Sequence, residues 1–447
     1  MITVPSLGGK NVLVMGLGKS GTATARALAT GGARVTAWDD GEAARKAAAE
    51  AGVTVAAPAL DGVDLVVWSP GIPHTHPADK AHPLAARARA AGIPLVCDVE
   101  LLARAKPANP MLAVTGTNGK STTTTLLAHV LAEGGRSVAA GGNLGTAALD
   151  MADLDAQGRY VLELSSYQLE LVDTLALSAA VLLNITPDHL GRHGGMDGYV
   201  AAKRRLFDRL RPGGTAVIGV DDDHCEAMAA ELERSGLDVV RISAEQTLAQ
   251  GVSAADGILR MDGVPVTDLR AIARLPGRHN WQNACAAFAL ARADGMEAAA
   301  IAAALASYPG LAHRQETVGT VRGVTYINDS KATNADATEK ALVCYENIHW
   351  ILGGQPKEGG IDSLVCHFDR IKHAYLIGDA ADAFAQVLEG RVPYTRCGSL
   401  LMAVTKAAAT AEAGEVVLLS PACASWDQFK SFEHRGEVFR QLVEAQR

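Results

Sequence analysis

The sequence predicts an α/β protein built on mostly parallel sheets and divided into three domains. Apolar runs of five or six residues alternate with longer Ala/Leu-periodic stretches almost to the end, the pattern of repeated strand–helix units. At about 150 residues per domain, 447 residues give three domains, with cores large enough to need no disulfide or metal staple. Two proline-containing connections, Arg104–Pro110 and Ser307–His313, interrupt the rhythm. They set expected domains at 1–108, 109–308 and 309–447.

The first unit opens with a strand over Asn11–Met15, then Gly16-x-Gly18-x-x-Gly21, an Ala-rich helix, and a strand over Arg34–Trp38 ending at Asp39. Glycines at this spacing permit a tight turn and close backbone approach to a phosphate, and the helix start supplies N–H donors. Asp39 stands where an acidic residue holds a ribose hydroxyl. The pattern reads as a Rossmann-like, nucleotide-diphosphate-binding turn, with NAD as the default ligand. A tight turn with no ligand fits the same residues.

The second unit opens more specifically. Strand Met111–Val114 runs into Thr115-Gly-Thr-Asn-Gly-Lys-Ser-Thr122 and a helix through about Glu133. In a phosphate loop the backbone N–H groups cradle phosphates, Lys120 reaches the β/γ oxygens and the Ser121 hydroxyl ligates Mg²⁺. The loop is shorter than the general pattern, since Val114 stands where the first Gly belongs. Two further strands end in polar clusters: Tyr160–Leu162 leads to Glu163, and Ala179–Leu183 leads to Asp188-His189. Ligands of open α/β sheets bind at the carboxyl ends of strands, so Glu163 and His189 are candidate metal ligands beside the phosphates. The run Asp221–Asp223 reads as a solvated loop.

Composition narrows the function. Forty-one basic against 49 acidic residues give a net charge of −8, which argues against nucleic-acid coating. An aromatic fraction of 4% gives no base-stacking surface. No apolar run approaches a membrane span. The opening residues lack a signal-peptide layout, and seven cysteines without a Cys-x-x-Cys pair give neither a disulfide framework nor a zinc site, so a cytoplasmic setting is expected.

Taken together, the motifs resemble the Mur ligase family. The resemblance spans the chain: Thr115–Thr122, Glu163-Leu-Ser-Ser-Tyr-Gln-Leu-Glu170, Asn184-Ile-Thr-Pro-Asp-His-Leu190, Leu275-Pro-Gly-Arg-His-Asn-Trp-Gln-Asn283, Ala312-His-Arg-Gln315, Asn328-Asp-Ser-Lys-Ala-Thr-Asn334 and Leu419–Phe429. The last segment and the Ser69-Pro-Gly-Ile72 turn look like the branch that adds D-glutamate. The resemblance implies a Rossmann-like first domain, a central P-loop-type ATPase domain and a Rossmann-like third domain. It implies ATP-dependent joining of D-glutamate to UDP-N-acetylmuramoyl-L-alanine through an acyl phosphate, in peptidoglycan precursor synthesis. ATP and Mg²⁺ at two sites are the implied cofactors, and a cytoplasmic monomer is expected.

Site residues follow from the resemblance. Gly116, Thr117, Asn118, Gly119, Lys120, Ser121 and Thr122 should hold the ATP phosphates. Asn280 and Asn283 should meet the base, with His313, Arg314, Asp329 and Lys331 around phosphates and ribose. Helix capping is the alternative for His279 and Asn280. Ser121 and Glu163 should ligate one Mg²⁺, and His189 with a carbamylated Lys203 the second. From residues alone Lys203 reads more readily as a helix-surface lysine. Gly18, Lys19, Ser20, Asp39, Gly71, Asn143, Ser165, Ser166 and Gln168 should line the UDP-sugar site. His189, Thr333, Lys357, Ser425 and Phe432 should hold D-glutamate. Cys423 reads as a small buried residue. One departure stands out: Asp39 is followed by Asp40-Gly41 where the family has Thr-Arg, and Lys19 or Ser20 is expected to substitute. Three domains contributing to one reaction imply domain closure. Remaining alternatives are a relative adding another amino acid such as L-glutamate, an NAD-dependent oxidoreductase, and a P-loop regulatory NTPase.

Overall fold

Three sheets account for the strands of the described residues. A computed structural model describes residues 1–357 and 359–446. Within it, Met1–Ala271 with Asn280–Tyr308 form one compact unit, and Ile272–His279 with Pro309–Arg447 form another.

The first unit carries two sheets. One has four parallel strands, with Asn11–Met15 between Arg34–Trp38 and Leu65–Trp68, and Leu95–Val96 at the edge. The other has nine strands. Its phosphate-loop strand, Met111–Thr115, lies parallel between Arg159–Glu163 and Leu177–Leu182. Loops that follow such neighbouring parallel strands converge at their carboxyl ends, which positions the site. Ile258–Met261 and Val264–Asp268 close the far edge as an antiparallel hairpin. The expected boundary near residue 108 separates two sheets but not two cores. Buried side chains from Val12, Val66 and Leu101 run without a break to Leu162 and Leu182.

The second unit has six strands, with Val324–Asn328 and Ile348–Gly353 flanking Val416–Leu419 in parallel and Glu316–Val321 antiparallel at the edge. Apolar side chains cover both faces. Trp350, Leu376 and Phe384 pack on one side, and Ile351, Ala403, Val404 and Phe439 on the other.

At the amino ends of these strands, away from the site residues, buried His349, Tyr375 and Glu415 form a polar group with the exposed Lys372. His349 Nε2 is 2.8 Å from Glu415 Oε2 and its Nδ1 is 3.0 Å from the Tyr375 hydroxyl, while Lys372 Nζ is 3.1 Å from Glu415 Oε1. Burial alone would raise the Glu415 carboxyl. The Glu412 N–H, His349 and Lys372 outweigh it and hold the group at about 2. A carboxyl lowered from 4.5 stabilises the fold above about pH 4.5, and that stabilisation is lost as pH falls through 2. Glu415→Gln is therefore expected to lower the thermal midpoint at pH 7 by about 2–8 °C. Thermal melts should show the gap narrowing between pH 4.5 and 2, with no change in activity at pH 7.

Two sequence readings need correction. Asp221–Asp223 is no solvated loop. Asp222 caps helix Asp223–Arg234, accepting from Cys225 N, and also accepts from Ile185 N, while Asp221 accepts from Ala244 N and Gln282 Nε2. The capping reading of His279 and Asn280 also fails, because the helix Arg278–Ala293 already includes both.

Candidate active site

The phosphate loop is shaped by its glycines. Gly119 adopts φ +83° immediately before helix Lys120–Glu133, and a Cβ there would collide with Asn283 Oδ1. The side chain of Lys120 folds over the loop, donating to Gly116 O and Thr117 O, both at 2.8 Å. Asn184, from the loop after strand Leu177–Leu182, accepts from Asn118 N at 2.8 Å, and Thr117 N donates to Asn184 O. Ser121 and Thr122 are buried in the first helical turn. Asn280 and Asn283, expected at the nucleotide base, are buried. Asn283 reaches this loop: its Oδ1 accepts from Thr123 Oγ1 and its Nδ2 donates to Asn280 Oδ1.

Lys203 resolves one ambiguity. It is 1% exposed, so the helix-surface reading fails. Its Nζ donates to Gly116 O at 2.9 Å, the carbonyl that Lys120 also uses, and lies 4.7 Å from the Tyr199 ring centre. Burial, and then the Lys120 ammonium, hold Lys203 far below the usual lysine value. A neutral amine is the form that takes up CO₂.

Glu163 ends strand Arg159–Glu163 and is buried. Its Oε1 accepts from Asn143 Nδ2 at 2.7 Å, and its buried Oε2 has no hydrogen-bond partner. An orphaned carboxylate oxygen beside a phosphate loop fits a hard cation. His189 adopts φ +52° before helix Leu190–His193, is half exposed, and has Nε2 3.3 Å from Asp188 Oδ2. Burial pulls its imidazole below the ordinary value, against the pull of Asp188. Among the described residues no group of three or more His, Cys, Asp or Glu gathers into a metal cluster. The expected ligand set contains only two residues of those types, and relies on Ser121 and Lys203 for the rest.

A cavity of about 320 Å³ opens beside Asn143, the partner of Glu163, in the same unit. Lys19, Ser20, Gly71, Asn143, Ser165 and Gln168, all expected at the UDP-sugar, line it. Gly18, Asp39 and Ser166 do not. The Asp39 carboxylate instead fastens the glycine turn, accepting from Leu17 N at 2.7 Å and Gly41 N at 2.8 Å. Lys19 Nζ bonds Gly145 O. Sequence reasoning missed Asp98, a buried lining residue whose Oδ2 accepts from Ser20 Oγ at 2.6 Å. Burial raises its carboxyl, with Ser20 opposing. Its available signal was its place just after strand Leu95–Val96. Next to Asp39, the Arg45 guanidinium lies 4.5 Å from the Trp38 ring centre and donates to Asp39 O and Asp40 O. A larger cavity, about 760 Å³, lies beside the first residues of strand Asp238–Ser243, at the sheet end away from the phosphate loop.

In the second unit, Asp329, just after strand Val324–Asn328, accepts from Gln315 N and from Ser420 Oγ at 2.8 Å. Burial pushes its carboxyl up to about 7, with Ser420 and Arg314 opposing. His313 adopts φ +61° and its ring meets Phe432 edge-on at 6.3 Å. Arg314 Nε is buried without a hydrogen-bond partner. Lys331 N donates to His313 O, and Lys331 Nζ lies 5.5 Å from the Phe432 ring centre. Lys357 is exposed with Nζ 3.3 Å from Thr333 Oγ1, and Ser425 is buried. Fully buried Arg435 braces this region through Ser330 O, Ser330 Oγ and Cys423 O. Cys423 is buried, and burial pushes its thiol up to about 12, which disarms it as a nucleophile.

A phosphate loop with a second, buried lysine and an orphaned carboxylate belongs to ATP-using chemistry. Family models match in two places: the Mur ligase middle domain over residues 114–291 and the Mur ligase, glutamate ligase domain over 313–423. The chain belongs to the Mur ligase family. It is 67% identical to the UDP-N-acetylmuramoylalanine–D-glutamate ligase of Paramagnetospirillum magneticum, covering 100% of this chain and 98% of that one. It is 54% identical to the enzyme of the same name from Rhodospirillum rubrum, covering 99% and 96%. Among solved structures, UDP-N-acetylmuramate-alanine ligase from Thermotoga maritima superposes with TM-score 0.62 at 18% identity, covering 98% of this chain and 100% of that one. That likeness concerns the fold.

Proposed function

We propose that the chain joins D-glutamate to UDP-N-acetylmuramoyl-L-alanine at the expense of ATP, in peptidoglycan precursor synthesis. The observation that carries this reading is the full-length match to its 67%-identical relative, together with a phosphate loop whose two lysines meet at Gly116 O. A carboxylate oxygen of the nucleotide sugar attacks the γ-phosphorus and ADP leaves, giving an acyl phosphate. The neutral glutamate amine attacks the acyl carbon, its nitrogen loses one proton to solvent, and phosphate departs with the former carboxylate oxygen. Lys120 neutralises charge on the transferred phosphoryl group.

Gly116, Thr117, Asn118, Gly119, Ser121 and Thr122 cradle the ATP phosphates, and Asn280 and Asn283 serve the nucleotide base. Mg²⁺ supplies positive charge to the phosphate oxygens; Ser121 and Glu163 would hold one ion, His189 and carbamylated Lys203 a second. Lys19, Ser20, Gly71, Asn143, Ser165 and Gln168 bind the nucleotide sugar, with Gly18, Asp39 and Ser166 shaping the wall from behind. In the second unit His313, Arg314, Asp329 and Lys331 serve the nucleotide, and Thr333, Lys357, Ser425 and Phe432 serve D-glutamate. ATP and a UDP-linked sugar as substrates support a cytoplasmic setting, and a monomer is the simplest working form.

A phosphate-release screen tests the reading. ATP, UDP-N-acetylmuramoyl-L-alanine and a panel of D- and L-amino acids should release phosphate with D-glutamate and with no other member. Release with L-glutamate alone would change the assigned amino acid. Release without any amino acid would favour a nucleotide switch.

A further inference from the structure

A buried cluster of charged and ring side chains lies between the turn Ser69–His74 and the segment Ser165–Glu170, and no step above uses it. His193 Nδ1 is 3.1 Å from Glu170 Oε1, and its Nε2 is 2.9 Å from Ser166 Oγ. On the other side, His74 Nε2 is 3.1 Å from Glu170 Oε2, an ion-pair distance without the alignment of a hydrogen bond. Arg89 Nη2 is 2.6 Å from His74 Nδ1, and Arg89 Nη1 donates to His74 O. A guanidinium only donates, so Nδ1 accepts and the His74 ring proton sits on Nε2, facing Glu170. Burial alone would raise the Glu170 carboxyl, but His193 and His74 hold it at about 2, so it is anionic. Arg192 Nη1 lies 3.7 Å from the same carboxylate, and its guanidinium covers the Tyr167 ring.

Ser166, His193 and Glu170 are linked as the members of a hydrolase triad are. Access argues against that chemistry: Ser166 is 3% exposed and does not line the cavity. What the cluster does reach is both cavity walls. Gly71 precedes His74 by three residues on one wall, and Ser165, Tyr167 and Gln168 flank Ser166 on the other.

We propose that Glu170 is a positioning residue for the nucleotide sugar, one oxygen holding His74 and the other His193, so that the two walls of its cavity keep a fixed separation. The proposal rests on the reading of that cavity given above. Its consequence is selective: the nucleotide sugar feels the loss of Glu170, while ATP, bound at the phosphate loop, does not.

The test is steady-state kinetics and calorimetric binding of the full chain. Glu170→Gln should raise KM for the nucleotide sugar about tenfold, with kcat within about twofold and KM for ATP unchanged. His74→Ala should raise it in the same direction but by less, because it removes one of the two contacts of Glu170, and the double variant should be no worse than Glu170→Gln alone. His74→Gln, which keeps a donor toward Glu170, should restore most of the affinity. A fluorophosphonate probe should leave Ser166 unlabelled. Unchanged sugar KM in Glu170→Gln and His74→Ala, an equal loss for both substrates, or labelling of Ser166 would each overturn the proposal. Should Glu170→Gln fail to fold, the His74 pair decides alone. Failure of the unaltered chain to bind the nucleotide sugar would instead overturn the functional reading.

Discussion

Replacing Lys203 with Ala is expected to lower turnover by roughly 1,000-fold or more, and short carboxylic acids should restore part of it. The chain holds this amine almost without solvent, next to a second lysine, with a backbone carbonyl as its hydrogen-bond partner. Two ammonium groups on one carbonyl are electrostatically poor, and burial favours the neutral amine. Addition of the neutral amine to CO₂, with loss of a proton, would give an anionic oxygen ligand of the kind a hard cation accepts. Mass spectrometry of the intact chain under bicarbonate should show the carbamate on Lys203, and acid treatment should remove it. A normal mass together with normal turnover in Lys203→Ala would contradict this role.

Lys120→Met should lower kcat by about 100- to 1,000-fold, more than it raises KM for ATP. The ammonium is already held over the loop by Gly116 O and Thr117 O, so its position costs little to adopt when phosphate arrives. Lys120→Arg should rescue poorly, because the planar fork is wider than an ammonium and the loop carbonyls fit a point donor. Single-turnover rates with saturating ATP separate the two effects.

The strand–loop–helix units around Gly16–Gly21 and Gly116–Lys120 were legible because turn chemistry and apolar periodicity are local. The same locality exposed Glu163, which ends a strand beside the phosphate loop. What was not legible depended on packing between segments far apart in sequence. Lys203 looks like a surface residue in Ala-Ala-Lys-Arg-Arg, and only the approach of Gly116 buries it. Asn283 has the chemistry of a base reader, and its bond to Thr123, from a segment far apart in sequence, was not legible. Asp39 has the spacing of a ribose ligand, yet it ties down Leu17 and Gly41. Glu170 sits at the end of a recognised motif, but its partners, His74 and His193, lie in other segments that gave no signal of their own.

If ATP activates the carboxylate of a nucleotide sugar for attack by an amine, an oxygen atom must pass from that carboxylate to phosphate. The most direct measurement uses UDP-N-acetylmuramoyl-L-alanine with ¹⁸O in its terminal carboxylate, turned over with ATP and D-glutamate. One labelled oxygen should appear in the released phosphate for each amide formed. Phosphate free of label, with amide still formed, would contradict carboxylate activation by ATP.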